Sequence, residues 1–300
     1  MSNAKIWLTA FRLKTLPLAL SCAITGSFLA AANGGFNAAV AALAIATTIF
    51  LQILSNLAND YGDAVSGADN EKRIGPQRVT HTGLVTRDQI KRMIILFASL
   101  SFASGVVLVL IGLKGLSLPY IIGFIVLGLA AIAAAIRYTV GKNPYGYRGR
   151  GDIFVFIFFG LIGVCGTFFL HTHQLDFTTL LPAASIGLFS AGVLNINNLR
   201  DINSDTNSGK KTLVVKYGVG FGKKYHSTLL AMGILLSITY TIIHFSSAYN
   251  FLWVLIVPLF LRSIIKINKH KNPNELIPEL KNMALYTFGF SLLFGIAILL

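Results

Sequence analysis

The chain has 300 residues, of which 54% are hydrophobic and only 12% are charged. Ordinary soluble domains carry about twice that share of charged residues, so the composition excludes this class and indicates a membrane protein. The net charge of +14 would suit a nucleic-acid partner only on a soluble basic domain. The sequence contains no such domain, and we therefore exclude nucleic-acid binding.

Nine apolar stretches are long enough to cross a bilayer as helices, since a spanning helix needs about 20 residues. In chain order they cover residues 16–34, 36–58, 93–113, 118–136, 153–171, 179–199, 228–246, 251–267 and 283–300. The first is expected to be an anchor helix, because no small-residue cleavage pattern of a signal peptide follows it. The pattern predicts an all-α integral membrane protein with a single domain over residues 1–300.

Basic residues predict the orientation of these spans. With the N-terminus in the cytoplasm, the loops near residues 59–92, 137–150, 200–224 and 262–281 all lie inside. Lys114 is then the only one of the 25 basic residues on the outside, as the positive-inside rule requires. We therefore predict a cytoplasmic N-terminus and a cytosolic face that attracts anionic membrane lipid.

The same pattern of polar residues ends the second span and the sixth span. Each copy has an asparagine, an aspartate four positions later and a second aspartate after that: Asn56, Asp60 and Asp63, then Asn197, Asp201 and Asp205. Residues three or four apart share one face of a helix, so each copy presents an amide and two carboxylates to a common point. Carboxylates that hold Mg²⁺ usually share it with phosphate. The repeat predicts a diphosphate site at the cytosolic membrane edge and a weak internal duplication.

Other polar residues near the cytosolic ends of the spans are candidates for contact with the substrates. They are Arg12, Asn59, Arg73, Tyr138, Lys142, Arg148 and Lys210. Cationic side chains among them suit the oxygens of a diphosphate. Their alternative role is simpler, because basic residues also set membrane topology and aromatic residues anchor helices at the interface.

Several of these segments resemble the UbiA superfamily of membrane prenyltransferases. The segments Asn59–Asp63 and Asp201–Asp205, with Lys210 and Thr212 downstream, are similar to its two aspartate-rich motifs. A narrower likeness, to the branch that prenylates 1,4-dihydroxy-2-naphthoate, rests on residues 56–63, 73–76, 145–149 and 155–160. One position departs from the wider superfamily, because Gly67 stands where a third acidic residue is expected, with Asp69 two places later.

The resemblance implies nine transmembrane helices around a central cavity and a Mg²⁺-dependent aromatic prenyltransferase. Asp60, Asp63, Asp201 and Asp205 would hold two Mg²⁺ ions that bridge the diphosphate. The donor would be a polyprenyl diphosphate and the acceptor 1,4-dihydroxy-2-naphthoate, with loss of CO₂ and formation of a demethylmenaquinone. Such a step belongs to menaquinone biosynthesis in the bacterial cytoplasmic membrane, with the active site facing the cytosol.

Three alternatives remain open at this stage. The acceptor could be another aromatic acid, such as 4-hydroxybenzoate, which the same allylic cation chemistry would serve. A repeat-built transporter could use carboxylates to carry cations or protons, although such sites lie near the bilayer midplane. A lipid-binding scaffold without chemistry would leave the repeated acidic residues without a purpose.

Overall fold

The computed structural model describes residues 3–67 and 83–300, and within these ranges the chain is helical with no β-strand. By length and composition, nine helical spans of this part of the chain could cross a membrane. For the described residues, the prediction of an all-α membrane protein with nine candidate spans is confirmed. In chain order the helices are α1 (Asn3–Phe11), α2 (Leu16–Ala32), α3 (Ala38–Ser66), α4 (Arg87–Gly112), α5 (Leu118–Arg137), α6 (Gly151–Thr172), α7 (Phe177–Arg200), α8 (Ile202–Asn207), α9 (Leu213–Ile243), α10 (Ala248–Lys269) and α11 (Pro273–Ala297).

Several predicted boundaries were wrong, mostly on the polar side. The span predicted at 228–246 begins at Leu213, and the one predicted at 283–300 runs from Pro273 to Ala297. The physical reason is that hydropathy finds only the apolar centre of a helix, whereas backbone hydrogen bonds continue through polar turns. Helix α4 likewise begins at Arg87 and not at 93, because Thr86 and Gln89 form a capping box.

Helix α3 continues past its apolar part to Ser66, so Asp60 and Asp63 lie within its last two turns. Before α2 the backbone of Arg12 has φ of 48°, which separates α1 from α2. Helix α9 is kinked at Gly218, where φ is 84° and only glycine is free of strain. The break at Arg12 and the kink at Gly218 change the direction of the chain near the polar ends of the helices.

Among the nine candidate spans of the described residues, α7 is the most buried, and it carries Asn197 near its end. The ring of Phe189, fully buried, lies 4.4 Å from that of Phe260 and 5.1 Å from that of Phe290 between ring centroids. Helix α6 approaches α7 so closely that a Cβ at Gly160 would lie 2.8 Å from the Cα of Gly187. Small residues allow such backbone contact in membrane helices, and this contact fixes α7 relative to α6.

Candidate active site

A cavity of about 370 Å³ lies at the polar ends of the helices and extends among their apolar faces. Asn59 lines its polar end together with residues of both repeated clusters: Asn56, Asp63, Asn197, Asp201 and Asp205. Its other walls are apolar and include Leu18, Leu51, Phe154, Phe158 and Phe159. The volume and the mixture of a few polar groups with apolar walls are those of a small-molecule site.

Lys210 joins the two repeated clusters. Its Nζ lies 3.1 Å from Oδ1 of Asp63 on α3 and 3.5 Å from Oδ1 of Asp205 on α8. All three side chains are largely buried, so this charge network lies where solvent screens it weakly. The structure therefore brings one aspartate of each cluster to a single cationic group.

A tight turn after α8 places Lys210. Gly209 has φ of 73°, a left-handed conformation that suits glycine, and the next amide, that of Lys210, donates to the carbonyl of Asp205 at 2.9 Å. The amide of Lys211 then donates to the carbonyl of Tyr147 at 2.8 Å. This turn packs against the loop between α5 and α6 and points the Lys210 ammonium toward the acids.

Tyr147 belongs to the same network, although it was not among the residues predicted from the sequence. Its hydroxyl donates to Oδ1 of Asp63 at 2.5 Å and lies 2.8 Å from the hydroxyl of Ser66. The ammonium of Lys210 lies 4.7 Å from the centre of the Tyr147 ring, in a cation–π contact. The only signal in the sequence was its place in the 145–149 segment that carries the family likeness.

The other two aspartates are paired with arginines. Asp60 is buried and accepts a hydrogen bond from the guanidinium of Arg12. It is not one of the described residues that line the cavity. Asp201 lines the cavity and accepts from Arg200, with Nε–Oδ1 at 2.7 Å and Nη2–Oδ2 at 2.6 Å. Arg200 is only 4% exposed and was also missed, since it looked like one more topology charge.

The asparagines of the clusters line the cavity and hold neighbouring groups in place. The Asn56 amide donates to the carbonyl of Phe11 and to the hydroxyl of Thr15, both at 3.0 Å, and so holds the link between α1 and α2. In the second cluster, Oδ1 of Asn197 accepts from Arg200 at 2.8 Å. These bonds keep the amides beside the acids, where their oxygens remain hard ligands or acceptors.

Tyr138 lines the cavity just beyond α5 and is held by close backbone contacts. A Cβ at Gly146 would lie 2.7 Å from the Tyr138 carbonyl and 3.0 Å from its ring. The pKa of the Tyr138 phenol is raised well above its ordinary value, chiefly by burial and further by the charge of Asp152. Tyr138 therefore stays a neutral hydroxyl and can donate a hydrogen bond into the cavity.

Three other predicted contacts have a different outcome. The side chains of Lys142 and Arg148 are exposed, and neither residue is among those that line the cavity. Instead, the Arg148 carbonyl accepts from the ammonium of Lys216 at 2.9 Å. Arg73 and Asp69 lie outside the described residues.

The oxygen donors fit Mg²⁺ by their chemistry. Carboxylates and amide oxygens are the hard ligands that this ion prefers. The pKa of Asp205 is raised to about 6, chiefly by burial and further by the carboxylates of Asp201 and Asp63. The ammonium of Lys210 acts in the opposite direction and lowers this pKa. The neighbouring carboxylates repel one another, and a bound cation would relieve that repulsion. Within residues 3–67 and 83–300, however, no three His, Cys, Asp or Glu side chains are arranged around one point.

The chain resembles known proteins over nearly its whole length. Residues 19–291 match the UbiA prenyltransferase family. It is 44% identical over 298 residues to a 1,4-dihydroxy-2-naphthoate octaprenyltransferase of Haemophilus influenzae, covering 99% of this chain and 96% of the relative. The protein of the same description from Escherichia coli is 42% identical over 300 residues, with 100% and 97% covered.

Solved structures share the fold at lower identity. The apo structure of a UbiA homolog from Aeropyrum pernix K1 superposes with a TM-score of 0.69 at 17% identity, over 96% of this chain and 98% of that one. A UbiA homolog from Archaeoglobus fulgidus, bound to DMAPP and Mg²⁺, gives a TM-score of 0.63 at 14% identity, over 98% of both chains. At such identities the likeness supports the fold alone.

Proposed function

The chain belongs to the UbiA prenyltransferase family, and from this membership we propose that it transfers a polyprenyl group to 1,4-dihydroxy-2-naphthoate with loss of CO₂. The product is a demethylmenaquinol, the reduced form of demethylmenaquinone, and the step belongs to menaquinone biosynthesis. The family match and the identities of 44% and 42% to two relatives of that description support this activity.

One observation in the structure supports the reaction type most directly. Asp63 and Asp205, which lie 142 positions apart in the chain, both meet the ammonium of Lys210 within 3.5 Å at the polar end of the cavity. Carboxylates that bind divalent cations, next to a buried lysine ammonium, provide the positive charge that binds a polyanion such as a diphosphate. The apolar remainder of the same cavity suits the prenyl end of such a molecule.

The first chemical event breaks the bond between the allylic carbon and the diphosphate oxygen, and the electron pair leaves with the diphosphate. Lys210 and Arg12 both line the cavity and can donate charged hydrogen bonds to the departing oxygens. Mg²⁺, when bound by Asp63, Asp201 and Asp205 with the neighbouring asparagines, would neutralise the charge that develops on the leaving group. We propose that the two clusters would hold two such ions.

The second event joins the allylic cation to an electron-rich carbon of the acceptor ring. The bond from that carbon to its carboxylate then breaks, CO₂ leaves, and the electron pair of the bond returns to the ring, which recovers its aromatic character. Phe154, Phe158 and Phe159 line the cavity, and their π faces stabilise a cation while their apolar surface excludes water. Tyr138 lines the same cavity, and its neutral hydroxyl can orient a polar group of the acceptor.

We further propose that this site faces the cytosol from the bacterial cytoplasmic membrane. Asp63 lies one turn before the end of α3, and Asp201 follows the end of α7. Acids at helix ends suit a site supplied from one face of the membrane, whereas transporter sites lie near the midplane. The transporter alternative therefore lacks support from the position of these acids.

The test is a competition between acceptors. The purified protein, with Mg²⁺ and octaprenyl diphosphate, is given equal amounts of 1,4-dihydroxy-2-naphthoate and 4-hydroxybenzoate, and the products are identified by mass spectrometry. We expect the prenylated, decarboxylated naphthalene product to dominate. A product formed from 4-hydroxybenzoate alone would reject the acceptor, and no prenylated product from folded protein would reject the activity.

A further inference from the structure

The loop between α5 and α6 touches two separate parts of the acidic site, and Tyr147 lies at the point of contact. Residues Tyr145–Arg148 of this loop form one turn of 3₁₀ helix. The Tyr147 carbonyl accepts from the amide of Lys211 at 2.8 Å and so holds the turn that carries Lys210. The Tyr147 side chain bonds to Asp63 on α3 and lines the cavity. One residue therefore joins the end of α3 to the turn after α8.

The hydroxyl of Tyr147 is a donor to Asp63. An ionised carboxylate only accepts hydrogen bonds, so the bond of 2.5 Å between Tyr147 and Asp63 uses the proton of the tyrosine. The Tyr147 oxygen can still accept, and the hydroxyl of Ser66 lies 2.8 Å from it. The same oxygen of Asp63, Oδ1, also meets Nζ of Lys210 at 3.1 Å. Two donors from different parts of the chain therefore anchor this carboxylate in one orientation.

The ring of Tyr147 makes a second, separate contact. The ammonium of Lys210 lies 4.7 Å from the ring centre, and an aromatic face attracts a cation at this distance. The Lys210 side chain is 15% exposed, so water weakens this attraction less than it would at the protein surface. The contact does not involve the hydroxyl, and Tyr147→Phe would keep it.

We propose that Tyr147 is a positioning residue that serves the diphosphate site through two separate parts of its side chain. The hydroxyl orients Asp63 for a divalent cation, as the hydrogen-bond partners of ligating carboxylates do. The ring holds the ammonium of Lys210 where it can meet phosphate oxygens. This inference rests on the proposed function, because that function brings Mg²⁺ and a diphosphate to these residues.

Tyr145 provides a matched control in the same turn. Its hydroxyl donates to the carbonyl of Ala134 at 2.8 Å, and its ring stacks on that of Phe154 with 3.9 Å between centroids. Both tyrosines line the same cavity. Tyr145→Phe therefore removes one hydrogen bond of the loop, as Tyr147→Phe does, but the lost bond joins Tyr145 to backbone and not to an acid.

The experiment measures binding without turnover. The full chain and its Tyr147→Phe, Tyr147→Leu and Tyr145→Phe variants are titrated with Mn²⁺, followed by electron paramagnetic resonance of the free ion. They are also titrated with inorganic pyrophosphate at saturating Mg²⁺, followed by calorimetry.

The two titrations report the two parts of the side chain. We expect both Tyr147 variants to bind Mn²⁺ about tenfold more weakly, because each loses the hydrogen bond that orients a ligating carboxylate. Pyrophosphate affinity should fall about fivefold in Tyr147→Leu but less than about twofold in Tyr147→Phe, which keeps the ring. Tyr145→Phe should change neither affinity by more than about twofold, since its hydroxyl does not bond to a ligating acid.

Turnover gives a further readout, since Tyr147→Phe should need about tenfold more Mg²⁺ for half of its maximal rate. Unchanged Mn²⁺ affinity in Tyr147→Phe, or an equal loss in Tyr145→Phe, would overturn the role of the hydroxyl. Equal pyrophosphate affinities in the two Tyr147 variants would overturn the role of the ring.

A further variant covers the case in which the Tyr147 variants do not fold. Ser66 is exposed and its hydroxyl neighbours that of Tyr147, so Ser66→Ala should lower Mn²⁺ affinity by about threefold. No change there would overturn the proposal. The expected affinities without any prenylated product would reject the proposed function alone, whereas normal product formation with unchanged affinities would reject this inference alone.

Discussion

Gly62 packs directly against Thr139: a Cβ at position 62 would lie 2.6 Å from the Thr139 carbonyl oxygen and 2.6 Å from its hydroxyl. The Thr139 hydroxyl in turn donates to the carbonyl of Ala58 at 2.9 Å. This contact joins the end of α3, which carries Asp63, to the residue that follows Tyr138. It explains why glycine stands between the two aspartates of the first cluster.

Gly62→Ala should therefore destabilise the protein by about 1–3 kcal/mol, the cost of overpacking a tight contact. Turnover should fall as well, because Asp63 and Tyr138 lie on the two sides of the displaced contact. Thermal unfolding in detergent and prenyl transfer measure the two effects. Gly123→Ala is the matched control and should be neutral or slightly stabilising, and an unaffected Gly62→Ala would contradict the packing argument.

Lys210→Met should lower kcat/KM for the diphosphate donor by about 10²-fold, because it removes the ammonium group near both Asp63 and Asp205. Lys210→Arg keeps the charge and should recover part of the activity. Lys211→Met is the neighbouring control: its side chain is exposed and does not line the cavity, so activity should change less than about twofold. Equal effects at positions 210 and 211 would remove Lys210 from the site.

Asp63→Asn and Asp205→Asn should each lower turnover by about 10²-fold or more while the protein stays folded, because each loses a charge that binds cations. EDTA should abolish the activity of the unmodified chain, and Mg²⁺ should restore it. Product formation and circular dichroism are the measurements. Full turnover by both variants, or in the presence of EDTA, would refute the metal assignment.

Asp201→Asn should differ from Asp205→Asn in stability. Arg200 is buried and pairs with Asp201 through two hydrogen bonds, so its charge would lose its partner. Breaking such a buried pair costs about 3–5 kcal/mol. We expect a clearly lower unfolding temperature for Asp201→Asn than for Asp205→Asn. Equal unfolding temperatures would show that the pair contributes little.

The cytoplasmic orientation is tested by labelling. With Cys22 and Cys165 replaced, a single cysteine at Asn207 or Asn272 should react with a membrane-impermeant thiol reagent only from the cytosolic side. A cysteine at Gln174 should react only from the outside. All three positions are exposed, so reactivity reports the side of the membrane and not burial. The reversed pattern would overturn the orientation that the basic residues predict.

The sequence by itself determined the class of fold and the places where chemistry is concentrated. Apolar runs of spanning length are a local property, because the bilayer thickness sets how many residues a helix needs, and nine spans follow from it. The repeated clusters ending α3 and α7 were also visible, since spacing along one helix decides which side chains share a face. The polar turns that lengthen α9 and α11 were not predicted.

Only the tertiary structure decided the partners of each acid. Tyr147 and Asp63 are 84 positions apart in the chain, and Arg12 and Asp60 are 48 apart, so no local pattern links them. The prediction treated the four aspartates alike, whereas Asp60 pairs with Arg12 and Asp63 pairs with Lys210 in the cavity. Lys142 and Lys210 were equally good candidates for diphosphate contact, because no local pattern distinguishes them. Packing alone placed one in solvent and the other between two carboxylates.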